Sequence, residues 1–159
     1  MATGIQQGDR APAFSMPRDG GGTVTLDDGA GRWTVLYFYP KDDTPGCTKE
    51  AIAFSDAIED FHAAGAEVIG VSRDPVAKHD KFRDKHGLKV ILASDEDGSV
   101  CDAYGTWVEK SMYGKTYMGV ERATILIAPD RTVSEVWRKV KVPGHADAVL
   151  KTIRSKSGA

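Results

Sequence analysis

Cys47 stands in the stretch Thr44-Pro-Gly-Cys-Thr-Lys-Glu50, just after the apolar run Thr34-Val-Leu-Tyr-Phe-Tyr39 and Pro40. Thr44 followed by Pro45 is a helix-start pair. The hydroxyl can cap, and proline is favoured at the first helical position, where its missing N–H costs nothing. Cys47 then falls in the first turn, where unpaired N–H groups and the positive end of the helix dipole favour an anion. Cysteines in that position have pKa values lowered from about 8.5 into roughly 3.5–7.5, so the expected chemistry is that of a thiolate nucleophile. The competing role is that of a small buried apolar residue, the commoner fate of an intracellular cysteine. Gly46 would let the backbone come close to a ligand, and Lys41, Asp42, Asp43, Lys49 and Glu50 do not look like core, which favours the reactive role.

The other candidates carry weaker signals. Cys101, in Gly98-Ser-Val-Cys-Asp-Ala-Tyr104, reads as a half-buried packing residue. A dithiol reductase would need Cys-x-x-Cys, but position 50 is Glu. His62, His79, His86 and His145 could serve a cysteine hydrolase, but none has a local signature, and each reads as a surface or cap residue. Histidines and cysteines together lack the paired spacing of a zinc site. Gly114-Lys-Thr116 resembles the end of a phosphate-binding loop, but the glycine needed at position 109 is Glu, so the tripeptide reads as a loop.

The elements that must position Cys47 follow from the apolar pattern. Thr34–Tyr39 reads as a central strand buried on both faces. Ala51, Phe54, Ile58 and Phe61 fall at helical spacing, with Gly65 as the stop. Glu67–Ser72 is a strand, Pro75–His86 a helix ended by Gly87, Lys89–Leu92 a strand and Gly98–Tyr104 a short helix. Ala13–Met16 and Thr23–Leu26 form an N-terminal β-hairpin on Arg18-Asp-Gly-Gly-Gly22. Thr124–Ala128 and Thr132–Trp137 form a second hairpin across Pro129-Asp-Arg131, and a helix from His145 to about Arg154 ends the chain. Strands alternating with helices predict an α/β fold, a mixed central sheet flanked by helices on both faces, in a single domain over residues 1–159.

Composition bounds the setting. A net charge of −2, from 21 basic and 23 acidic residues, gives no field for nucleic acid or an anionic membrane, so small molecules or proteins are the expected partners. No apolar stretch approaches the roughly 18 residues of a membrane span. Met1–Gly8 lacks the basic start and apolar block of a secretory signal, which predicts a cytoplasmic protein, and two cysteines do not make a disulfide scaffold.

Pro40, Thr44 and Cys47 fit the pattern Pro-x-x-x-Thr-x-x-Cys, and Phe38-Tyr-Pro-Lys-Asp-Asp-Thr-Pro-Gly-Cys-Thr-Lys-Glu50 extends it. In this the chain resembles the peroxiredoxins, and within them the bacterioferritin comigratory, or Q-type, branch. The resemblance runs on through Gly8–Pro12, Ser94–Asp97, Met112–Lys115, Gly119–Arg122 and Gly144–Asp147. It implies a thioredoxin-like fold with an N-terminal hairpin, and a thiol peroxidase that needs no metal or organic cofactor. Cys47 would attack the peroxide, Thr44 would orient it and Pro40 would shield the sulfur. Arg122 matches the family's active-site arginine, whose fixed donors could hold both the sulfur and a peroxide oxygen. The branch is often monomeric.

One feature departs from the family. Q-type relatives carry a resolving cysteine one helical turn beyond the first or in the next helix, where this chain has Ile52 and Phe82-Arg83. The expectation is therefore a one-cysteine cycle, in which thioredoxin, glutaredoxin or glutathione reduces the Cys47 sulfenic acid directly. A Cys47–Cys101 disulfide, or a thioredoxin-like binding or chaperone module without turnover, are the alternatives.

Overall fold

The protein is described over residues 5–157 in a computed structural model. Residues 1–4, part of the segment read above for a leader, lie outside the described residues.

The chain runs β1 (Ser15–Pro17), β2 (Thr23–Thr25), β3 (Trp33–Phe38), α1 (Pro45–Asp56), α2 (Ile58–Ala63), β4 (Ala66–Ser72) and α3 (Val76–His86). It continues with β5 (Ile91–Ser94), α4 (Ser99–Ala103), β6 (Trp107–Met112), β7 (Lys115–Val120), β8 (Ala123–Ile127), β9 (Val133–Trp137) and α5 (His145–Lys156). Five strands form the central sheet in the order β5-β4-β3-β8-β9. β3 and β4, and β4 and β5, pair in parallel; β8 lies antiparallel to both β3 and β9. The expected mixed sheet and N-terminal hairpin are both present, the latter as β1 against β2.

β3 shows why the sheet is central. Val35, Tyr37 and Tyr39 point to one face and Leu36 and Phe38 to the other, as the two-residue period of a strand requires. The first face packs against α1, α2, α3 and α5 through Phe54, Phe61, Phe82 and Val149. The second packs against α4 and the N-terminal hairpin through Val100, Cys101, Met16 and Val24. Among the described residues, no helix is long and apolar enough to cross a membrane.

Two expectations need correction. The single helix read across Ala51–Phe61 is two, because at Ala57 (φ −96°, ψ 6°) the chain opens between α1 and α2 while apolar residues keep their spacing. Gly114-Lys-Thr116 is not a loop. Tyr113 and Gly114, at φ 53° and 77°, form a two-residue turn, and Lys115 and Thr116 open β7. Paired positive φ values suit the right-handed twist of a hairpin, and β6 pairs with β7 from Trp107↔Val120 to Met112↔Lys115. This arm shows little alternation because much of it faces solvent: Met112, Tyr113, Tyr117 and Met118 are exposed.

Candidate active site

α1 begins beyond the carboxyl end of β3, where ligands bind in open α/β sheets. Pro45 is its first residue and Cys47 its third, so the sulfur sits in the first turn as expected, 2% exposed. Thr44 does not cap the helix through its side chain. Its hydroxyl instead donates to the Lys41 carbonyl at 2.8 Å, closing the Pro40–Thr44 loop on itself.

Arg122 arrives through the sheet. Phe38, at the end of β3, is registered against Ala123, at the start of β8, which brings residue 122 to the helix start 75 positions away in sequence. The Arg122 carbonyl is held by the Val140 N–H at 2.9 Å. Its Nη2 donates to Cys47 Sγ at 3.4 Å and its Nη1 to Glu50 Oε1 at 2.8 Å. Gly46 makes this approach possible: a β-carbon there would stand 3.0 Å from Nη2. Its role is to admit the guanidinium.

Glu50 and Asp42, read as non-core, are both buried, at 1% and 5% exposure. Burial pushes the Glu50 carboxyl up to about 7, against the pull of Arg122. Glu50 Oε2 and the Tyr37 hydroxyl have no hydrogen-bond partner. A carboxylate three residues beyond Cys47 lies on the same helix side, which was the available sequence signal for Glu50. Asp42 has a partner that no local pattern announces: His79, fully buried rather than at the surface, with Nδ1 2.6 Å from Asp42 Oδ2. His145 is buried too, its Nε2 2.7 Å from Thr124 Oγ1. Burial and the Arg122 charge push it down to about 4, so it is neutral at ordinary pH.

Pro40 is exposed at the rim of a cleft of about 450 Å³ lined also by Lys41, Trp107, Lys110, Tyr117 and Met118. The β6–β7 arm thus forms one wall beside the loop that leads into Cys47. Burial and the Arg122 charge push the Lys110 amine down, while Cys47 pulls it up.

Cys101 lies elsewhere. It is fully buried rather than half-buried, in α4 on the opposite sheet face from Cys47. Burial first, and the Asp95 carboxylate second, push its thiol well up. The two positions where relatives carry a second thiol are occupied by packing: Ile52 lies against the Cys47-side core and Phe82 within it, while Arg83 bonds Asp19 and Asp84.

A family model described as the AhpC/TSA family matches residues 7–136. The chain belongs to this family of peroxiredoxins. It is 48% identical over 146 residues to a putative peroxiredoxin Bcp of Coxiella burnetii, covering 92% of this chain and 97% of that one. It is 44% identical to peroxiredoxin Bcp of Bacillus subtilis, over 96% and 98% of the two chains. Among solved structures, a mutant of PrxQ from Xylella fastidiosa superposes with a TM-score of 0.93 at 39% identity, covering 98% of this chain and 99% of that one. Peroxiredoxin Q of Xanthomonas campestris gives 0.87 at 47% identity, over 91% of each chain. This peroxiredoxin therefore has the thioredoxin-like fold of the Bcp, or Q, branch, and is a thiol-dependent peroxidase.

Proposed function

We propose that Cys47 is the peroxidatic residue of a one-cysteine cycle acting on hydrogen peroxide and organic hydroperoxides. The observation that carries this is the Arg122 guanidinium on the Cys47 sulfur in the first turn of α1. Reduction of organic hydroperoxides is supported by a Xanthomonas campestris relative described for its alkyl peroxide reduction activity, 46% identical to this chain. The Cys47 thiolate attacks the distal oxygen of ROOH in line with the O–O bond. An S–O bond forms, the O–O bond breaks, and the leaving alkoxide takes a proton to become alcohol or water. Sulfur is oxidised by two electrons to the sulfenic acid. Arg122, held by Glu50 with Nη2 on the sulfur, shares the charge that moves from sulfur to the leaving oxygen. Thr44 and the first-turn N–H groups orient the peroxide, and Pro40 screens the site from bulk water.

The cycle then needs two external thiol equivalents. One attacks the sulfenic sulfur and releases water, forming a mixed disulfide; the second releases Cys47 and leaves with the disulfide. Thioredoxin, glutaredoxin and glutathione all supply this chemistry. Supporting the one-cysteine reading, Cys101 is sealed behind the sheet and both usual partner positions are filled by other side chains. The protein acts as a cytoplasmic monomer with one domain, in line with its length, modest net charge and two free cysteines.

One equivalent of peroxide added to the reduced protein tests this by intact mass. Gain of one oxygen, trapped by dimedone at Cys47 and lost in Cys47→Ser, is expected. Loss of two hydrogens instead, abolished by Cys101→Ser, would establish a two-cysteine cycle.

A further inference from the structure

The loop that opens α1 is fastened from behind by α3. His79 is fully buried on that helix, and its Nε2 lies 2.9 Å from the Ala93 carbonyl of β5. A carbonyl only accepts, so Nε2 carries a proton. His79 Nδ1 faces Asp42 Oδ2 at 2.6 Å, while the other Asp42 oxygen accepts from the Tyr39 hydroxyl. With acceptors at both ring nitrogens, His79 is an imidazolium paired with a buried carboxylate. The Asp42 N–H donates to Asp74 Oδ2 at 2.8 Å, and the Ser72 hydroxyl holds that same oxygen at 2.7 Å. A second tie lies outside the first: Asp43, at φ 60°, pairs with Lys85 at 2.8 Å and His86 at 2.9 Å, also on α3.

We propose that His79 is a positioning residue for the peroxide step: paired with Asp42, it fixes the Pro40–Thr44 loop and with it the first turn of α1 that carries Cys47. This rests on Cys47 being the peroxidatic residue. A reacting atom displaced by about 1 Å can cost two orders of magnitude in rate, so a loop pinned by a buried pair has a direct route to the chemistry. The partner positions also matter. Asp42 lies between Pro40 and Thr44, so one anchored side chain sets both neighbours.

The pair makes the loop sensitive to pH in a definite direction. The groups facing His79 are Asp42 from the loop, Tyr39 beyond β3, Asp74 ahead of α3 and the Ala93 carbonyl from β5. Burial pulls the imidazole down, but Asp42 outweighs it and the net shift is upward. The pair therefore needs His79 protonated and is lost as pH rises through the raised value.

The test separates the two half-reactions of the full-length protein: single-turnover oxidation of Cys47 by hydrogen peroxide, and reduction of the preformed sulfenic acid by a small thiol. His79→Leu is expected to slow oxidation about tenfold or more with no matching fall in the thiol step, and His79→Asn, which keeps one donor, to fall between it and wild type. The alkaline limb that His79 contributes to the wild-type oxidation profile should vanish in His79→Asn. Oxidation within about twofold of wild type in cooperatively folded variants, or an equal fall in both half-reactions, overturns the proposal. Where His79→Leu does not fold, His79→Asn and Asp42→Asn decide by the same ratio. Failure of the underlying reading looks different: Cys47→Ser would go on consuming peroxide.

Discussion

Cys47 and Cys101 occupy the same helical position on opposite faces of one sheet. Each is the third residue of a helix entered from a loop that follows a sheet strand, and each is almost wholly buried. What differs is the group at the helix start. At α1 no side chain caps the helix, and a guanidinium reaches the sulfur. At α4 the Asp95 carboxylate takes the N–H groups of Val100 and Cys101 at 3.1 and 2.7 Å, and stands as a negative charge beside the thiol. A helix N-terminus is therefore not an activating device in itself. Its donors serve whichever anion reaches them first, and only an unoccupied end backed by a cation leaves them to a substrate.

The sharpest way to break this contrast is to remove the cation. Arg122→Met is expected to slow Cys47 oxidation by about 10²–10³-fold, the usual cost of losing a donor aimed at developing charge, measured by single-turnover oxidation with hydrogen peroxide. Arg122→Lys should recover only part, since a point charge cannot span Cys47 and Glu50 as the planar fork does. A loss below about threefold in Arg122→Met would mean that the helix end suffices alone.

A smaller effect is expected on the other face. Asp95→Ala leaves two buried N–H groups without acceptors and should lower stability by about 1–3 kcal/mol in chemical denaturation, with peroxide turnover unchanged. Cys101 should stay reduced in this variant, because burial, the first cause of its raised thiol, remains. Oxidation of Cys101 in Asp95→Ala would show that the carboxylate, rather than burial, keeps it silent.

A last test lies in the pH dependence of stability on the Cys47 face. His145 titrates at about 4 when folded and near 6.5 when unfolded, so the unfolded chain binds the extra proton between them and stability falls as pH drops through that window. Glu50 titrates at about 7 folded and near 4.5 unfolded, so its contribution is greatest at low pH and falls as pH rises from 4.5 to 7. In wild type the two slopes oppose each other. Denaturation midpoints across pH 4–7 should therefore slope downward with rising pH in His145→Gln and upward in Glu50→Gln.

The contrast between the cysteines also marks how far local pattern reaches. The strand-loop-helix frame around Cys47, with Thr44-Pro45 as its start, follows from apolar runs and turn residues, and so do β4, α3 and α5 to within a few residues. The same frame exists around Cys101, and the apolar pattern alone does not tell the two apart. The distinction comes from Arg122 and Asp95, and Arg122 is delivered by the pairing of β3 with β8. Glu50, Asp42 and His79 looked like surface because charged side chains usually are; Asp42 and His79 are buried against each other, and Glu50 is buried with one oxygen held by Arg122, all through contacts distant in sequence. The β6–β7 arm went unread for the reverse reason. With both faces largely wet, it has no alternation to find, and only the Tyr113-Gly114 turn announces it.

Gly46 has a consequence for how this enzyme can change over time. Its backbone does not demand glycine, since it sits in the first turn of an ordinary helix with no left-handed dihedral. An alanine there would favour the helix by up to about 0.5–1 kcal/mol, yet its methyl group would push the guanidinium back from the sulfur. Any gain in helix propensity there is set against the displacement of the guanidinium that contacts both Cys47 and Glu50. A single hydrogen in place of a methyl sets how closely the cation can approach, and selection for thermal robustness would act on this position against selection for turnover.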